Sequence, residues 1–356
     1  MTFVTYRNNC LVTPPVATTT KHGELFSFMP VALLIFSMIA LILEVIAIVV
    51  LCHSRRFGSL RKSVIVLTSI EMWLNCSIFI NKAWEGFGMP KHRTFAGFIC
   101  SFLLFGLLNN AICSRNWAVT LIAFARCEVI TRPVAHRVNT HIFSPNRQII
   151  YISILIFVGM VLSFLRLLFR PVIVCTNLDG LLQYPEINVT QLQIINEKVF
   201  FAYQSAIPIF LVSLATIFMM ITLLRSSQIV RKNSSEPKNS DGKIISCVYQ
   251  QKKKKKSYHL SKHVRATRAI LLIIGIFIVC EAPIFFAVVL EKHISPEAKL
   301  TVYKALRFLI VTDTYANFII YLLTSKHFRY GLKKVFTCKR DDYLLRPIER
   351  GIVTAA

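Results

Sequence analysis

The sequence predicts an all-α membrane protein: a seven-transmembrane helix bundle followed by a short amphipathic helix. Hydrophobic residues make up 54% of its 356 residues and charged residues only 17%, whereas soluble domains have about 25% charged residues. The apolar residues are gathered in seven long segments, and a net charge of +25 lies mostly between them. This pattern excludes a disordered chain. It also excludes a soluble nucleic-acid-binding protein, whose positive charge would cover a polar surface.

Each apolar segment has about the 20 residues that a helix needs to cross the hydrocarbon core of a bilayer. A backbone in lipid must satisfy its own hydrogen bonds, so each segment is predicted to be helical. The spans are predicted at residues 29–52, 62–81, 96–125, 148–169, 199–224, 269–290 and 303–323 of a bundle that covers 28–324. Residues 1–27 are polar and show no cleavable signal peptide. We expect them to be the extracellular N-terminus, because the basic residues lie mostly in segments on the opposite side of the membrane.

The basic residues predict the orientation of the bundle. Of the 42 Lys and Arg, 29 fall in residues 53–62, 126–147 and 225–268 and in the tail from Ser325. The positive-inside rule places these segments in the cytoplasm, so we expect a multi-pass plasma membrane protein. The run Lys252–Lys256 has the composition of a nuclear localisation patch, but on a cytoplasmic loop attraction to anionic membrane lipids is the better interpretation.

The cytoplasmic segments have distinct compositions. Residues 226–264, rich in Ser, Lys and Asn, are predicted to be a disordered third intracellular loop. Residues 325–338 form a predicted amphipathic helix 8, with 339–356 as the tail. Its apolar side carries Phe328, Leu332, Val335 and Phe336. Cys338, directly after this helix, is a palmitoylation candidate.

Three cysteines fall on the predicted extracellular side. We expect a disulfide between Cys100, at the start of the third span, and Cys175, in the loop 170–198. This pairing gives Cys10 no predicted disulfide partner. In the same loop, Asn188 begins a glycosylation sequon. The nine histidines do not cluster with cysteines at metal-ligand spacing, so no metal site is predicted.

Short motifs at the ends of the spans, in order along the chain, resemble those of the rhodopsin-like (class A) G-protein-coupled receptors. The third span ends in the run 125–133, similar to the family's acid-Arg-Tyr segment; the sixth span has the spacing of Phe-x-x-Cys-Trp-x-Pro; the seventh ends in 317–321, similar to Asn-Pro-x-x-Tyr. The matching residues are Arg126, Pro133, Pro208, Phe277, Cys280, Pro283, Asn317 and Tyr321.

The resemblance implies a receptor without enzymatic activity or cofactor. It implies an extracellular ligand, a heterotrimeric G protein as partner, and arrestin and receptor kinases as further partners. Activation would open the cytoplasmic ends of spans three, five and six, with Arg126 meeting the G protein. Prolines in spans five and six are natural pivots, because each removes a helical hydrogen bond.

The sequence departs from the family pattern at several motif positions. Ala125 replaces the acid that normally pairs with the arginine, Glu281 stands at the switch tryptophan, and Phe318 replaces the proline of span seven. We therefore expect raised basal signalling or a restraint from elsewhere in the bundle. A receptor-shaped protein that couples to no G protein stays an alternative.

Ionisable residues inside the spans predict a polar network. Glu44, Glu71, Arg115, Glu281 and Asp313 lie within apolar segments, where charges are costly and usually paired. In family terms, a cavity that many members fill with sodium is surrounded by Glu71, Arg115, Asp313 and Asn317. We expect the Arg115 guanidinium to take the place of the ion, donating to Glu71 and to Asp313. Two alternatives stay open: protonated acids, and an ion-conducting protein that uses the acids as a relay.

The ligand class is predicted mostly by exclusion. Val311 stands where opsins carry the retinal lysine, and Leu108 where amine receptors carry an aspartate. The upper cavity is expected to be polar and partly basic, which suits a peptide and resembles invertebrate neuropeptide receptors of the FMRFamide-related type. The predicted ligand-binding residues are Asn81, Lys82, Asn109, Tyr203, Gln204, Glu281, Tyr303, Lys304 and Arg307.

Overall fold

A computed structural model describes the chain except for residues 1–3, 9–22, 54–59, 87–94, 132–141, 144, 169–171, 178–179, 186–190, 235–268, 291–292 and 338–356. Its described part contains a bundle of seven helices, which confirms the predicted fold class. The helices are α1 (Gly23–His53), α2 (Leu60–Gly86), α3 (Phe95–Thr131), α4 (Pro145–Leu168), α5 (Gln191–Phe201, Ala202–Ala206 and Ile207–Ser234), α6 (Ala269–Val289) and α7 (Pro296–Thr324). An eighth helix, α8 (Lys326–Thr337), follows α7 directly.

Six helices of the described part are long and apolar enough to cross a membrane: α1, α2, α4, α5, α6 and α7. Their outward faces carry large apolar side chains such as Phe157, Phe210 and Val279, which are 61%, 67% and 70% exposed. A bundle in lipid needs no polar outer surface, since hydrocarbon surrounds it. The exposed apolar faces therefore agree with a membrane-spanning protein.

The remaining helix of the bundle, α3, lies at its centre. It packs against α2, α4 and α5. Its buried polar residues include Asn110, Ser114, Arg115 and Asn116. Neighbouring helices shield these side chains from lipid, which is the usual arrangement for polar groups at membrane depth.

The core of the bundle has two apolar clusters. The larger one lies toward α8 and joins residues of all seven helices, including Phe277 and Tyr321. The smaller one joins Leu33, Leu74, Ala111 and Ile310 of α1, α2, α3 and α7. Buried polar residues separate the two apolar clusters in the sequence of five helices: α1, α2, α3, α6 and α7.

The fifth helix is interrupted by one π-helical turn, Ala202–Ala206. The N–H of Ile207 bonds the carbonyl of Ala202, five residues back. Pro208 comes next and has no N–H to continue either helical pattern. The turn therefore marks the place where a proline disturbs the hydrogen-bond ladder of a long helix.

Helix α8 is anchored at its start and packed closely against α1. The Ser325 hydroxyl accepts from the N–H of Phe328 at 3.1 Å. Phe328 is fully buried, with its ring centre 5.6 Å from that of Phe318. A Cβ on Gly331 would come within 2.9 Å of Val50 Cγ1, so the close approach requires glycine. Phe336, predicted on the apolar side, is exposed.

Three short strands were not anticipated by the sequence. They are β1 (Val4–Asn8), β2 (Val172–Asn177) and β3 (Gly180–Pro185), in the order β1-β2-β3. The first pair is parallel and the second antiparallel. The N-terminal segment thus pairs with the chain between α4 and α5, far away in sequence, which no local pattern can predict.

Several helices extend beyond the predicted spans. Residues 226–234, predicted as the start of a disordered loop, continue α5 to Ser234. No glycine or proline separates Leu224 from Ser234, so the helix leaves the apolar segment without a break. The remainder of the predicted loop, 235–264, and the tail 339–356 lie outside the described residues.

Candidate functional site

The centre of the bundle holds a buried ion pair between α3 and α6. Arg115 Nη2 lies 2.6 Å from Glu281 Oε2, and Arg115 Nη1 lies 3.5 Å from Asp313 Oδ2 of α7. The second contact is electrostatic, since Nη1 makes no hydrogen bond. All three side chains are at most 1% exposed. Both interactions therefore act in surroundings of low dielectric, where charge pairs are strongest.

Two neutral side chains complete this central cluster, which we define as Arg115, Asn116, Ser205, Glu281 and Asp313. The Asn116 amide donates to Glu281 Oε1 at 2.8 Å, and the Ser205 hydroxyl of α5 donates to the same oxygen at 3.2 Å. Asn116 Oδ1 in turn accepts from Arg115 at 3.1 Å. The Glu281 carboxylate thus receives hydrogen bonds from α3 and from α5.

A second cluster lies between α1, α2 and α7, and we define it as Glu44, Glu71, Asn75, Thr314 and Asn317. The Asn75 amide donates to Glu44 Oε1 at 2.8 Å and to Thr314 Oγ1 at 3.1 Å. The Asn317 amide donates to Glu71 Oε1 at 2.5 Å. Oxygens of Glu44, Asn75 and Asn317 remain buried without a hydrogen-bond partner.

The contacts in the two clusters differ from the predicted network in two details. Arg115 contacts Asp313, as expected, but its ion pair is with Glu281; Glu71 is bonded by Asn317 instead. Glu281 was predicted to bind ligand, yet its side chain is fully buried and held by α3 and α5. The reason is geometric: Glu281 lies across from Arg115, a contact between distant segments that spacing along the chain cannot reveal.

Side chains of α3 also satisfy the carbonyls that Pro208 leaves without a donor. The Gln204 carbonyl, four residues before Pro208, accepts from the Asn116 amide at 2.9 Å. The Tyr203 carbonyl, five residues before it, accepts from Trp117 Nε1 at 3.1 Å. Since buried carbonyls are rarely left unpaired, these bonds fix the π-helical turn of α5 against α3.

Tyr203 was predicted to bind ligand but is used to join helices. Its hydroxyl donates to the Leu155 carbonyl of α4 at 2.9 Å, and its ring centre lies 5.2 Å from that of Trp117. Its position near the end of span five had suggested that the side chain lines the ligand cavity. The backbone turn aims the ring toward α3 and α4 instead.

Arg126 lies at the α8-side end of α3, and its side chain is buried. Among the described residues no hydrogen bond or ion pair to Arg126 is present, and Ala125 beside it is also buried. Nearby, both carboxylate oxygens of Glu128 accept backbone N–H groups, those of Ile142 and Phe143, at 2.9 Å. These bonds tie the segment before α4 to the end of α3.

The other predicted activation residues lie around the clusters. Phe277 is fully buried, with its ring centre 5.4 Å from the Arg115 guanidinium carbon. Pro283 follows Glu281 by two residues in α6. Tyr321 is buried, with its ring centre 5.9 Å from that of Phe328. Pro133 lies outside the described residues.

The remaining predicted ligand residues are spread over four helices. Asn81, Lys82, Asn109, Gln204 and Arg307 are partly buried. The side chains of Tyr303 and Lys304 lie outside the described part of the chain. These positions stay predictions, since no contact described between them defines a binding site.

The predicted disulfide is wrong in this structure, because Cys100 is a free and exposed thiol. Cys175 lies in β2 opposite Arg7, so its strand is paired with the N-terminal segment. Asn188 and Cys338, the predicted glycosylation and palmitoylation positions, lie outside the described residues.

Sequence reasoning missed the neutral members of the clusters: Asn75, Asn116, Ser205 and Thr314. The two asparagines carried a usable signal, since an amide inside an apolar span is costly without a partner. Ser205 and Thr314 carried none, because serine and threonine hydroxyls can bond the backbone of their own helix.

Comparison with known proteins agrees with this geometry. Residues 45–321 match the family model described as 7 transmembrane receptor (rhodopsin family). Over 98 residues, the chain is 30% identical to the D(2) dopamine receptor A of Xenopus laevis and 29% identical to the D(2) dopamine receptor B of the same organism. Those alignments cover 28% of this chain and 22% and 28% of the two relatives. The chain thus spans only about a quarter of the length of the curated relatives it matches.

Proposed function

The chain belongs to the rhodopsin family of seven-transmembrane receptors, which are not enzymes, and we propose that it activates a heterotrimeric G protein when an extracellular ligand binds. In this proposal the N-terminus is extracellular, and α8 lies at the cytoplasmic face of the plasma membrane. The basic segments between the helices support that orientation.

One observation carries the proposal: Arg126 is buried at the α8-side end of α3 and pairs with no described residue. A buried guanidinium without a carboxylate partner is costly in the closed bundle. Outward movement of the ends of α5 and α6 exposes it to a partner that supplies acceptors. The G protein is that partner.

A peptide is the ligand class that the residues favour. The Xenopus relatives are named dopamine receptors, but Leu108 gives this chain no carboxylate at the position where amine receptors have one. Leu108 instead packs against the smaller apolar cluster. The partly buried Arg307 of α7 suits a carboxylate, an acidic side chain or a C-terminal amide. We propose a neuropeptide of the FMRFamide-related class.

Constitutive activity, with or without a ligand, is the second candidate function. Ala125 supports it, because this buried alanine cannot pair with Arg126 as the family's acid does. A receptor-like protein that couples to no G protein and an ion-conducting bundle are the two outcomes that would replace the proposal.

A peptide-library screen in cells that report several G-protein pathways tests the proposal. We expect a peptide to raise signalling by the wild type, while Arg126→Ala abolishes the signal and keeps peptide binding at the cell surface. A panel of biogenic amines, dopamine included, is screened alongside. A response to an amine with none to peptides would overturn the ligand class, and a current without any G protein would overturn the receptor function.

Arg307→Gln refines the ligand assignment. It keeps a polar side chain and removes the charge, so a peptide that uses its carboxylate at this position should lose affinity about tenfold or more. Lys62→Gln, at the opposite end of the bundle, is the matched control, and we expect it to leave the affinity of the peptide unchanged. Equal affinities for the wild type and Arg307→Gln would count against contact with Arg307.

A further inference from the structure

We propose that the ion pair between Arg115 and Glu281 is the restraint that keeps the ligand-free receptor closed, in place of the acid–arginine pair that Ala125 eliminates. This inference rests on the proposed function, because it names the contact that the ligand must break. Its first support is the position of the carboxylate, which is bonded by α3 and α5 while it belongs to α6.

The bonds to Glu281 join α6 to α3 and α5 close to Pro283. An outward swing of α6 turns the carboxylate relative to α3 and α5, and hydrogen bonds weaken steeply with distance and angle, so the contacts of Arg115, Asn116 and Ser205 with Glu281 are weakened together. Arg115 also pairs with Asp313 of α7. One guanidinium and one carboxylate therefore connect α3, α5, α6 and α7.

The pair is placed next to the natural pivot of α6. Pro283, two residues after Glu281, cannot donate to the carbonyl of Val279, so the helix is weakest there. One turn before Glu281, Phe277 lies under the same guanidinium, with its ring centre 5.4 Å from the Arg115 guanidinium carbon. Arg115 thus contacts α6 at two residues that share a face, 277 and 281, just before Pro283.

Burial makes the pair expensive to open without compensation. Both side chains are at most 1% exposed, and separating the pair leaves the Glu281 carboxylate inside the bundle without its cation, while Arg115 keeps only its longer contact with Asp313. A ligand that strains α6 above Pro283, or a G protein that holds the open form, supplies the compensating energy. The closed form is therefore favoured in the absence of both.

The test measures opening directly, by the distance between spin labels at cysteines introduced for Ile130 in α3 and Ala269 in α6. The full-length receptor is reconstituted in lipid nanodiscs, with its other reactive cysteines replaced by serine. Glu281→Gln keeps the shape of the side chain and an oxygen that can accept from an amide N–H, and it removes the charge. We expect this variant to raise the open fraction at least about tenfold, as for loss of a charge-assisted bond.

Ser205→Ala is the milder variant, with Ser163→Ala as its matched control. Both serines are buried, but Ser205 bonds Glu281, whereas the Ser163 hydroxyl in α4 has no hydrogen-bond partner in the described part of the chain. We expect Ser205→Ala to raise the open fraction roughly threefold and Ser163→Ala to leave it unchanged. Should Glu281→Gln fail to fold, this pair of variants decides the question by itself.

Wild-type distances in both Glu281→Gln and Ser205→Ala would overturn the restraint. Basal signalling of the same variants is measured at equal surface expression. If no variant signals but the distances change, the proposed function fails and the restraint stands; if Arg126→Ala abolishes signalling while the Glu281 variants behave as wild type, only the restraint fails.

Discussion

The carbonyl of Gln204 accepts a hydrogen bond from the Asn116 amide at 2.9 Å, in place of the N–H that Pro208 lacks. The same amide donates to Glu281 at 2.8 Å. One asparagine of α3 therefore holds the disturbed turn of α5 and the carboxylate of α6 together. We therefore expect Asn116 to contribute both to the stability of the bundle and to its closed state.

Asn116→Ala should destabilise the receptor. It leaves the Gln204 carbonyl without a donor and removes a bond from a buried carboxylate, at a cost of about 2–4 kcal/mol. Thermal unfolding of the purified receptor measures the loss. Asn110→Ala is the control, since the amide oxygen of this buried residue has no partner. An equal loss of stability in both variants would contradict the special role of Asn116.

Gly331→Ala should loosen α8 from α1. The added Cβ would lie 2.9 Å from Val50 Cγ1, which the neighbouring side chain can relieve only by moving. Overpacking of this kind costs about 1–3 kcal/mol. Faster amide hydrogen exchange in Lys326–Thr337 is the expected result.

Gly275 supplies the matched control for that change. A Cβ at Gly275 in α6 meets nothing within 4 Å, so Gly275→Ala should leave exchange in α8 unaltered and stabilise α6 by up to about 1 kcal/mol. The double variant Gly331→Ala with Val50→Ala should restore slow exchange. Persistent fast exchange in the double variant would mean that the contact with Val50 is not the cause.

The receptor should be insensitive to sodium. The Arg115 guanidinium already lies between Glu281 and Asp313 and provides the positive charge there. Replacing sodium with choline should shift the unfolding temperature of the purified receptor by no more than about 1 °C, since an ion that does not bind cannot stabilise. Arg115→Ser should acquire a clear stabilisation by sodium. A sodium-dependent shift in the wild type would rule the argument out.

Ala125→Asp should lower basal signalling. A carboxylate at this buried position beside Arg126 adds the restraint that the wild type lacks, and a charge-assisted bond of about 1.5–3 kcal/mol would reduce the active fraction about tenfold or more. Ala125→Asn has the same shape without the charge and serves as the control. Basal signalling of Ala125→Asp at or above that of the wild type would count against this lock.

The sequence alone determined the all-helical membrane fold class and the family. Long apolar segments specify transmembrane helices because lipid leaves a backbone no other way to satisfy its hydrogen bonds. The spacing of eleven residues from Arg115 to Arg126 also correctly placed both on an inward face, since eleven residues make about three helical turns. Both side chains are buried in the bundle.

Only the tertiary structure decided which charges pair. Glu281 meets Arg115 across 166 residues of chain, and Asn317 meets Glu71 across 246. Helical periodicity gives the face on which a side chain lies, but it does not give the rotation or depth of the opposing helix. A shift of that helix by one turn changes which of its residues lies opposite the side chain. Glu281 is bonded by Ser205 of α5 and by Asn116 of α3, so its side chain lies in the central cluster, where the sequence had predicted a ligand-binding residue.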